Sequence, residues 1–379
     1  MADRSASRAI NQKAIIDLII GSGGISKARI AKELGISKPA VSSNVSDLIK
    51  AGVLLEEGEG EAAKSGGRKP ILIRVNERFK YVGAVDLSFR DPVCAVCDLR
   101  YQLAGLGKVK APPGASPAER RRLVGEAFDV ILRDASVAPD KLGAIVISQP
   151  GVIKGEAGEH FSKERHHAWT EIALPDFLQE RYATGVYVVN DVNLAAVGET
   201  RLGLKTPPGS LIYVMCGVGL GAGIVIDGKL YEGVGCAAGE IGYSILPGGG
   251  SAEDVIAMDG LIKRARRLTE ADETLTFERI VALAKDGDET VRRAIFETGF
   301  ELGRLIYNCV LTLDIPTVAV GGEYLELGQS LFDGIDAALA ETTFRRPEVI
   351  PSALMSIAGL CGGFVYGADK IFKAFEFLS

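Results

Sequence analysis

The chain predicts an α/β fold preceded by a winged helix-turn-helix, and three observations carry that expectation. Residues 26–75 place two helical patterns, joined by Gly35-Ile36, ahead of two apolar runs that flank a loop ending in Gly66-Gly67-Arg68-Lys69-Pro70. From Tyr81 onward, short apolar runs alternate with longer helical patterns, the mixture from which α/β architecture is built. Charge is divided unevenly: residues 1–80 carry 14 Lys and Arg against 9 Asp and Glu, and the rest of the 379-residue chain carries 29 against 40. A basic head on an acidic body fits a duplex-binding module joined to a separate unit, because only the head would attract phosphate.

In the head, Ser37 is a good N-cap for a second helix, with Val41, Val45, Leu48 and Ile49 on one face by the i, i+4, i+7, i+8 rule. The opposite face carries Pro39, Ser43, Ser46 and Lys50, with Ser42 beside them and Ser37 and Lys38 at the start. Small polar residues keep a helix thin enough for a major groove and can hydrogen-bond to base edges there. Gly52 closes the helix, and Val53-Leu54-Leu55 with Ile71-Leu72-Ile73 read as the strands of a wing. Arg68, freed by two preceding glycines and followed by Lys69, is placed to enter a minor groove. A duplex-binding head is expected over 1–78, with the body over 79–379.

In the body, Tyr81–Val85 and Val93–Cys97 look like paired strands. Pro117 to Ala135 reads as a helix and Leu142–Ile147 as a buried strand leading to Ser148-Gln149-Pro150-Gly151. Val186–Val189 is a further strand before Asn190-Asp191 and a helix through Arg201; Leu211–Met215 and Ala222–Ile226 flank a glycine-rich turn. Helices are expected over 254–267, 277–286 and 289–312, then a strand over 317–320. No internal repeat is visible. With no run of 18 apolar residues and a polar N-terminus, neither a membrane span nor a signal peptide is expected. Six cysteines, mostly inside apolar runs, suit a reduced, cytoplasmic protein. Cys94 and Cys97 form a CxxC on a strand, so they point to opposite faces and read as core rather than as metal ligands. His160, His166 and His167 share one stretch that reads as a polar loop.

The most distinctive segment of the body is YVMCGVGLGAGIVIDGKLYEGVGCAAGEIGY at 213–243, where glycines at 217, 219, 221 and 223 leave the backbone bare for a phosphate or sugar. Together with VVNDVNLAAVGE at 188–199 and Ala238-Gly239-Glu240-Ile241-Gly242, it resembles the ROK family, which groups sugar kinases with sugar-responsive repressors. The likeness extends over essentially the whole chain. The head with its GGRKP segment is similar to the repressor branch, and VAVGG at 318–322 to the region that meets adenosine in the kinases. The resemblance implies an actin-like (ribonuclease H-like) body of two α/β lobes with a cleft between them.

Departures from the kinase pattern point to a sensor rather than an enzyme. Where the kinases read Asp-x-Gly-Gly-Thr, Asp86 is followed by Leu87, Ser88, Phe89 and Arg90, and Val218 replaces a hydroxyl residue in the second phosphate loop. Asp191 matches the base that accepts the sugar hydroxyl's proton, although it could equally cap a helix beginning near Leu194. The family's zinc site is missing: Tyr243 stands at the histidine position and Ser251 where the last cysteine would fall, so no metal and no cofactor are expected. By the same resemblance, Gly151, Asn190, Asp191, Glu240 and Glu253 match positions lining the sugar pocket, with Tyr243 at the place of its usual histidine. Arg165 replaces an asparagine before Trp169, which would suit an anionic sugar derivative. The leading expectation is a repressor of carbohydrate-metabolism genes that binds operator DNA and a carbohydrate effector, as a homodimer or tetramer. The alternatives are a sugar kinase with an appended head, and a ligand-blind repressor whose body only dimerises.

Overall fold

The computed structural model describes residues 2–59, 71–88, 91–154, 159–160, 169, 172–205, 208–269 and 275–376. Helix α1 (Ala2–Ser22) opens the head and is followed by β1 (Ile25–Ser26), α2 (Lys27–Leu34), α3 (Lys38–Lys50), β2 (Leu54–Glu59) and β3 (Ile71–Val75). The three strands form an antiparallel sheet in the order β1-β3-β2, the wing of the expected motif. Ser26 caps α2 through the Arg29 N–H at 3.3 Å, and Gly35 ends it in the left-handed region at φ 65°. Ser37 caps α3 through the Ala40 N–H at 3.4 Å, with Pro39 in the first turn, where a missing N–H costs nothing. Helix α1 escaped the sequence reading, because its first residues are polar. Its apolar stripe of Ile15, Ile16 and Ile19 is buried with Ile30, Val41, Val45, Leu48, Val53 and Ile73.

The body is built twice on one topology. In the first lobe, β4 (Tyr81–Asp86), β5 (Val93–Asp98) and β6 (Leu103–Lys108) form an antiparallel meander. After α4 (Pro117–Asp134), β7 (Leu142–Gln149) pairs parallel to β4. A small hairpin of β8 (Ile153–Lys154) and β9 (Glu159–His160), then α5 (Leu174–Tyr182), lead to β10 (Gly185–Asn190), parallel to β7. Helix α6 (Asp191–Gly198) follows and runs into a π-turn at Glu199–Gly203. The second lobe repeats the plan with β11 (Leu211–Cys216), β12 (Leu220–Ile226) and β13 (Lys229–Leu230) as the meander. Its helices are α7 (Ala252–Ile256), α8 (Met258–Thr269), α9 (Phe277–Lys285) and α10 (Glu289–Leu313). Strand β14 (Thr317–Gly321), α11 (Gln329–Ala340) and β15 (Glu348–Pro351) complete that sheet, and α12 (Ala358–Glu376) returns to pack on β4, β7 and α6 of the first lobe. The sheet orders β10-β7-β4-β5-β6 and β13-β12-β11-β14-β15 are the same arrangement. A backbone plan can recur without side-chain identity, which is why no repeat was legible.

Cys94 and Cys97 are both fully buried and lie in different clusters, Cys94 against α4 with Phe128 and Cys97 on the side of α12 with Phe372. The single helix expected over 254–267 is two helices. Ser251 forms a capping box with Asp254 that starts α7 early, and an extended Ala257 (ψ 177°) breaks the run before α8. The Met258 N–H released by that break donates to the Gly217 carbonyl at 2.8 Å, tying α8 to the glycine-rich turn. No helix among the described residues is long and apolar enough to cross a membrane.

Candidate functional site

In the head, the outward face of α3 is as the helical pattern requires. Ser37, Lys38, Pro39, Ser42, Ser43 and Lys50 are exposed and Ser46 is half-buried, while Val41, Val45 and Leu48 face the core. Asp47 is held by Arg8 of α1 at 2.7 Å, which ties α3 to α1, and Lys27 of α2 by Glu56 of the wing at 3.0 Å, and neither pair covers the serine face. Arg68 and Lys69 lie outside the described residues, as do Phe89, Arg90, Arg165, His166 and His167.

The body's site follows from strand order. Parallel β4, β7 and β10 end along one edge of their sheet, with Asp86 beside Ser148 and Asn190 beside Gln149 in register. Ligand-binding groups of parallel sheets collect at such carboxyl ends. Asn190 donates from Nδ2 to the Gly151 carbonyl at 2.9 Å and accepts the Asn193 N–H at 2.9 Å, so Asn190 is the cap of α6. This corrects the expectation of a helix starting near Leu194: α6 begins at Asp191, and Asp191 does not cap it from outside. Its Oδ1 accepts the N–H of Val192 at 2.9 Å, and its side chain is buried at the start of the helix.

Facing this edge across the cleft are the residues of the 236–240 turn. A narrow cavity of about 20 Å³ lies between the lobes, lined by Val152, Asn190, Val192 and Asn193 on one side and Gly221, Ala222, Cys236, Ala238, Gly239 and Glu240 on the other. That is room for about one water, so a sugar would enter only with the lobes further apart than they stand here. Asn190, Glu240 and Gly151 therefore meet as the sequence expected, with Asp191 in electrostatic reach of Glu240. Glu253 sits behind them, its Oε2 accepting the Leu220 N–H at 3.1 Å, and braces the glycine hairpin. Tyr243 ends a short 3-10 turn with 63% of its surface exposed and lies apart from the residues that line this narrow cavity. Asn193 and Cys236 were missed. Asn193 hides behind the more conspicuous Asn-Asp pair, and Cys236 lies in a turn with no pattern of its own.

The cleft is electronegative. Burial raises the Asp191 carboxyl, the neighbouring Asp86 raises it further and Glu240 adds to this, so that it reaches about 7. Burial likewise raises Asp86, against the pull of hydrogen bonds from Ser88, and burial followed by Glu253 raises Glu240. Closely spaced acids in low dielectric favour sharing protons over full ionisation. Such groups accept hydrogen bonds from neutral hydroxyls and repel anions.

On the other side of the second lobe, parallel β11 and β14 end beside the glycine turn, and Gly217 bonds to the Gly219 carbonyl at 3.0 Å. The carboxylate of Glu323 packs directly on Gly217, in space that any side chain there would fill. Val218 projects from the same turn, half exposed. The turn thus carries an acid against its first glycine, Gly217.

Residues 83–369 match the ROK family, and residues 8–54 match a winged helix-turn-helix DNA-binding family. The chain is 25% identical to a xylose repressor of Caldicellulosiruptor bescii over 91% of its length and 90% of that protein's. It is 24% identical to the xylose repressor of Bacillus subtilis over 93% and 94%. Among solved structures, a ROK family transcriptional regulator described as a homologue of the E. coli MLC protein shares the fold with a TM-score of 0.80 and 19% identity, covering 98% of each chain.

Proposed function

The chain belongs to the ROK family, and on that footing we propose that it is a DNA-binding repressor whose body senses a neutral sugar in the interlobe cleft. The observation that carries this reading is the coexistence of an open serine face on α3 with a cleft lined by acceptor groups. A winged head supplies operator recognition, Ser42, Ser43 and Ser46 meeting base edges and Lys38 and Lys50 the flanking phosphates. One head covers little surface, so the working unit is a dimer that reads two half-sites.

The sugar is held by Asn190, Asp191 and Glu240, with Gly151 giving backbone access and Glu253 fixing the turn behind. The buried acids favour an uncharged ligand over the anionic one that Arg165 suggested. Relatives named for xylose make it the first sugar to test. Phosphoryl transfer consists almost entirely of positioning and charge stabilisation. Glu323 against Gly217 and the apolar Val218 in the turn weigh against a nucleotide-phosphate cradle in the second lobe. The body is therefore a sensor that has kept the acid of its kinase relatives.

The test is operator binding by the full chain, using duplexes selected from a random library, titrated with D-xylose, D-glucose and their phosphates. Neutral sugars should release the DNA, and Glu240→Gln should lose the response while keeping affinity for DNA. Release by sugar phosphates alone, or ATP-dependent phosphorylation of either sugar, would remove this reading.

A further inference from the structure

Helix α6 touches both ends of the molecule's proposed function. Its first turn supplies Asp191, Val192 and Asn193 to the cleft, and its cap Asn190 grips Gly151. About 15 Å further on, at 1.5 Å per residue, its terminal π-turn carries Arg201, whose guanidinium reaches Asp17 of head helix α1 at 3.5 Å. Lys13, one turn earlier on α1, pairs with Asp17 at 3.6 Å and with Asp369 of α12 at 3.2 Å. Tyr101, held left-handed at φ 61° in the β5–β6 turn, lies in the field of Asp17, Arg201 and Asp369. The head therefore rests on the end of α6 and on α12.

Two features make α6 stiff along this path. Bare glycines press against it from both lobes: a Cβ on Gly223 of β12 would meet the Val192 carbonyl at 2.5 Å, and one on Gly362 of α12 would overlap the Leu194 carbonyl. The π-turn is pinned by Glu199, which is fully buried and accepts hydrogen bonds from Ser352 Oγ at 2.6 Å and the Ala353 N–H at 2.7 Å. A helix wedged between two lobes cannot stay still in both frames if the lobes move around a ligand. Pinned at its far end, it transmits rather than absorbs the displacement. π-turns inside helices are frequent at functional positions.

We propose that α6 and its π-turn are the mechanical link between cleft and head, with Arg201 as the positioning residue that engages Asp17. The proposal rests on the reading of the head as the DNA-binding unit and of the cleft as the sensor. An ion pair at such partly exposed positions contributes little stability, so its loss should affect coordination between the sites more than either site alone.

Coupling is reciprocal, so the experiment starts from the DNA side and needs no knowledge of the effector. Full-length protein is saturated with a duplex selected from a random library, and iodoacetamide alkylation of cleft-lining Cys236 is followed by peptide mass spectrometry, with Cys309 of α10 as internal reference. Bound DNA should change the Cys236 rate at least about fivefold, the low end of ordinary intersite coupling. Arg201→Ala and, from the head side, Asp17→Asn should bind the duplex within about twofold of wild type yet lose that rate change, and Arg201→Lys should retain it. Unaltered coupling in both Arg201→Ala and Asp17→Asn would overturn the α6 route. A wild-type Cys236 rate indifferent to bound DNA would overturn coupling between head and cleft altogether. Failure to select any duplex would instead sink the DNA-binding reading beneath it, a result recognisable before any alkylation is measured.

Discussion

Asp191 concentrates the body's chemistry in one side chain. Its carboxyl is raised by burial, then by Asp86, to about 7, well above the ordinary value of 3.8. The folded chain therefore holds a proton on Asp191 that the unfolded chain releases, and stability from this group falls as pH rises from about 4 to 7. Asp191→Asn removes that cost, so above pH 7 the variant should be more stable than wild type, by up to a few kcal/mol, each tenfold difference in proton affinity being worth about 1.4 kcal/mol. Below pH 4 the two should converge. Calorimetry at pH 4, 5 and 8 checks this, and a stability difference that does not vary with pH would refute it. Sugar affinity should rise between pH 6 and 8 as the acceptor ionises, and should be weak in the variant at every pH. Cys236, half-exposed in the cavity wall, gives a second readout. A bound neutral sugar should slow its alkylation severalfold while leaving Cys309 unaffected, and equal protection of both would place the ligand elsewhere.

Among elements, α3 shows most directly how local rules build a surface. Ser37 and Pro39 start it, Gly52 at φ 79° follows it, and its apolar residues recur at helical spacing, so the opposite side is left to small polar groups. Ser43→Glu changes only an exposed position and should leave the melting temperature within about 1 °C, since surface substitutions away from special features stay within ±0.5 kcal/mol. It should still weaken DNA binding at least tenfold, because a carboxylate would face phosphate and base acceptors. Unchanged affinity would move recognition off this helix. Helices α7 and α8 make the opposite point. Their joint apolar pattern reads as one helix, and the capping box at Ser251 with the turn at Ala257 divides it.

For the molecule as a whole, the division of charge assigns the two ligands to different physics. DNA binding by the basic head should fall steeply with salt, by orders of magnitude between about 50 and 200 mM, as released counterions oppose it. Binding of a neutral sugar in the cleft should hardly respond to the same change. Anisotropy and calorimetry across that range would test both, and a steep salt dependence of sugar affinity would argue for a charged ligand. Head and body also share a core cluster, in which Ile15 and Ile73 of the head join Val82, Ala144 and Phe372 of the body. The head is thus seated on the body rather than tethered to it, which is the condition for one to influence the other.

The sequence by itself determined the wing strands and both predicted helices of the head, most of the strands in both lobes, and the opposite facing of Cys94 and Cys97. Periodicity, caps and turn residues act over a few positions and leave local traces. Tertiary structure alone decided the rest, because those features arise from residues far apart in the chain. Asp86 meets Asp191 only through the β4–β7–β10 order, and Glu323 covers Gly217 only because β11 and β14 end together. The exposure of Tyr243 at the end of its short 3-10 turn is likewise set by packing that its motif does not encode. The contact of Arg201 with Asp17 joins positions almost two hundred residues apart. No pattern within one segment can encode such a meeting, which depends on how two lobes and a head pack around a single helix.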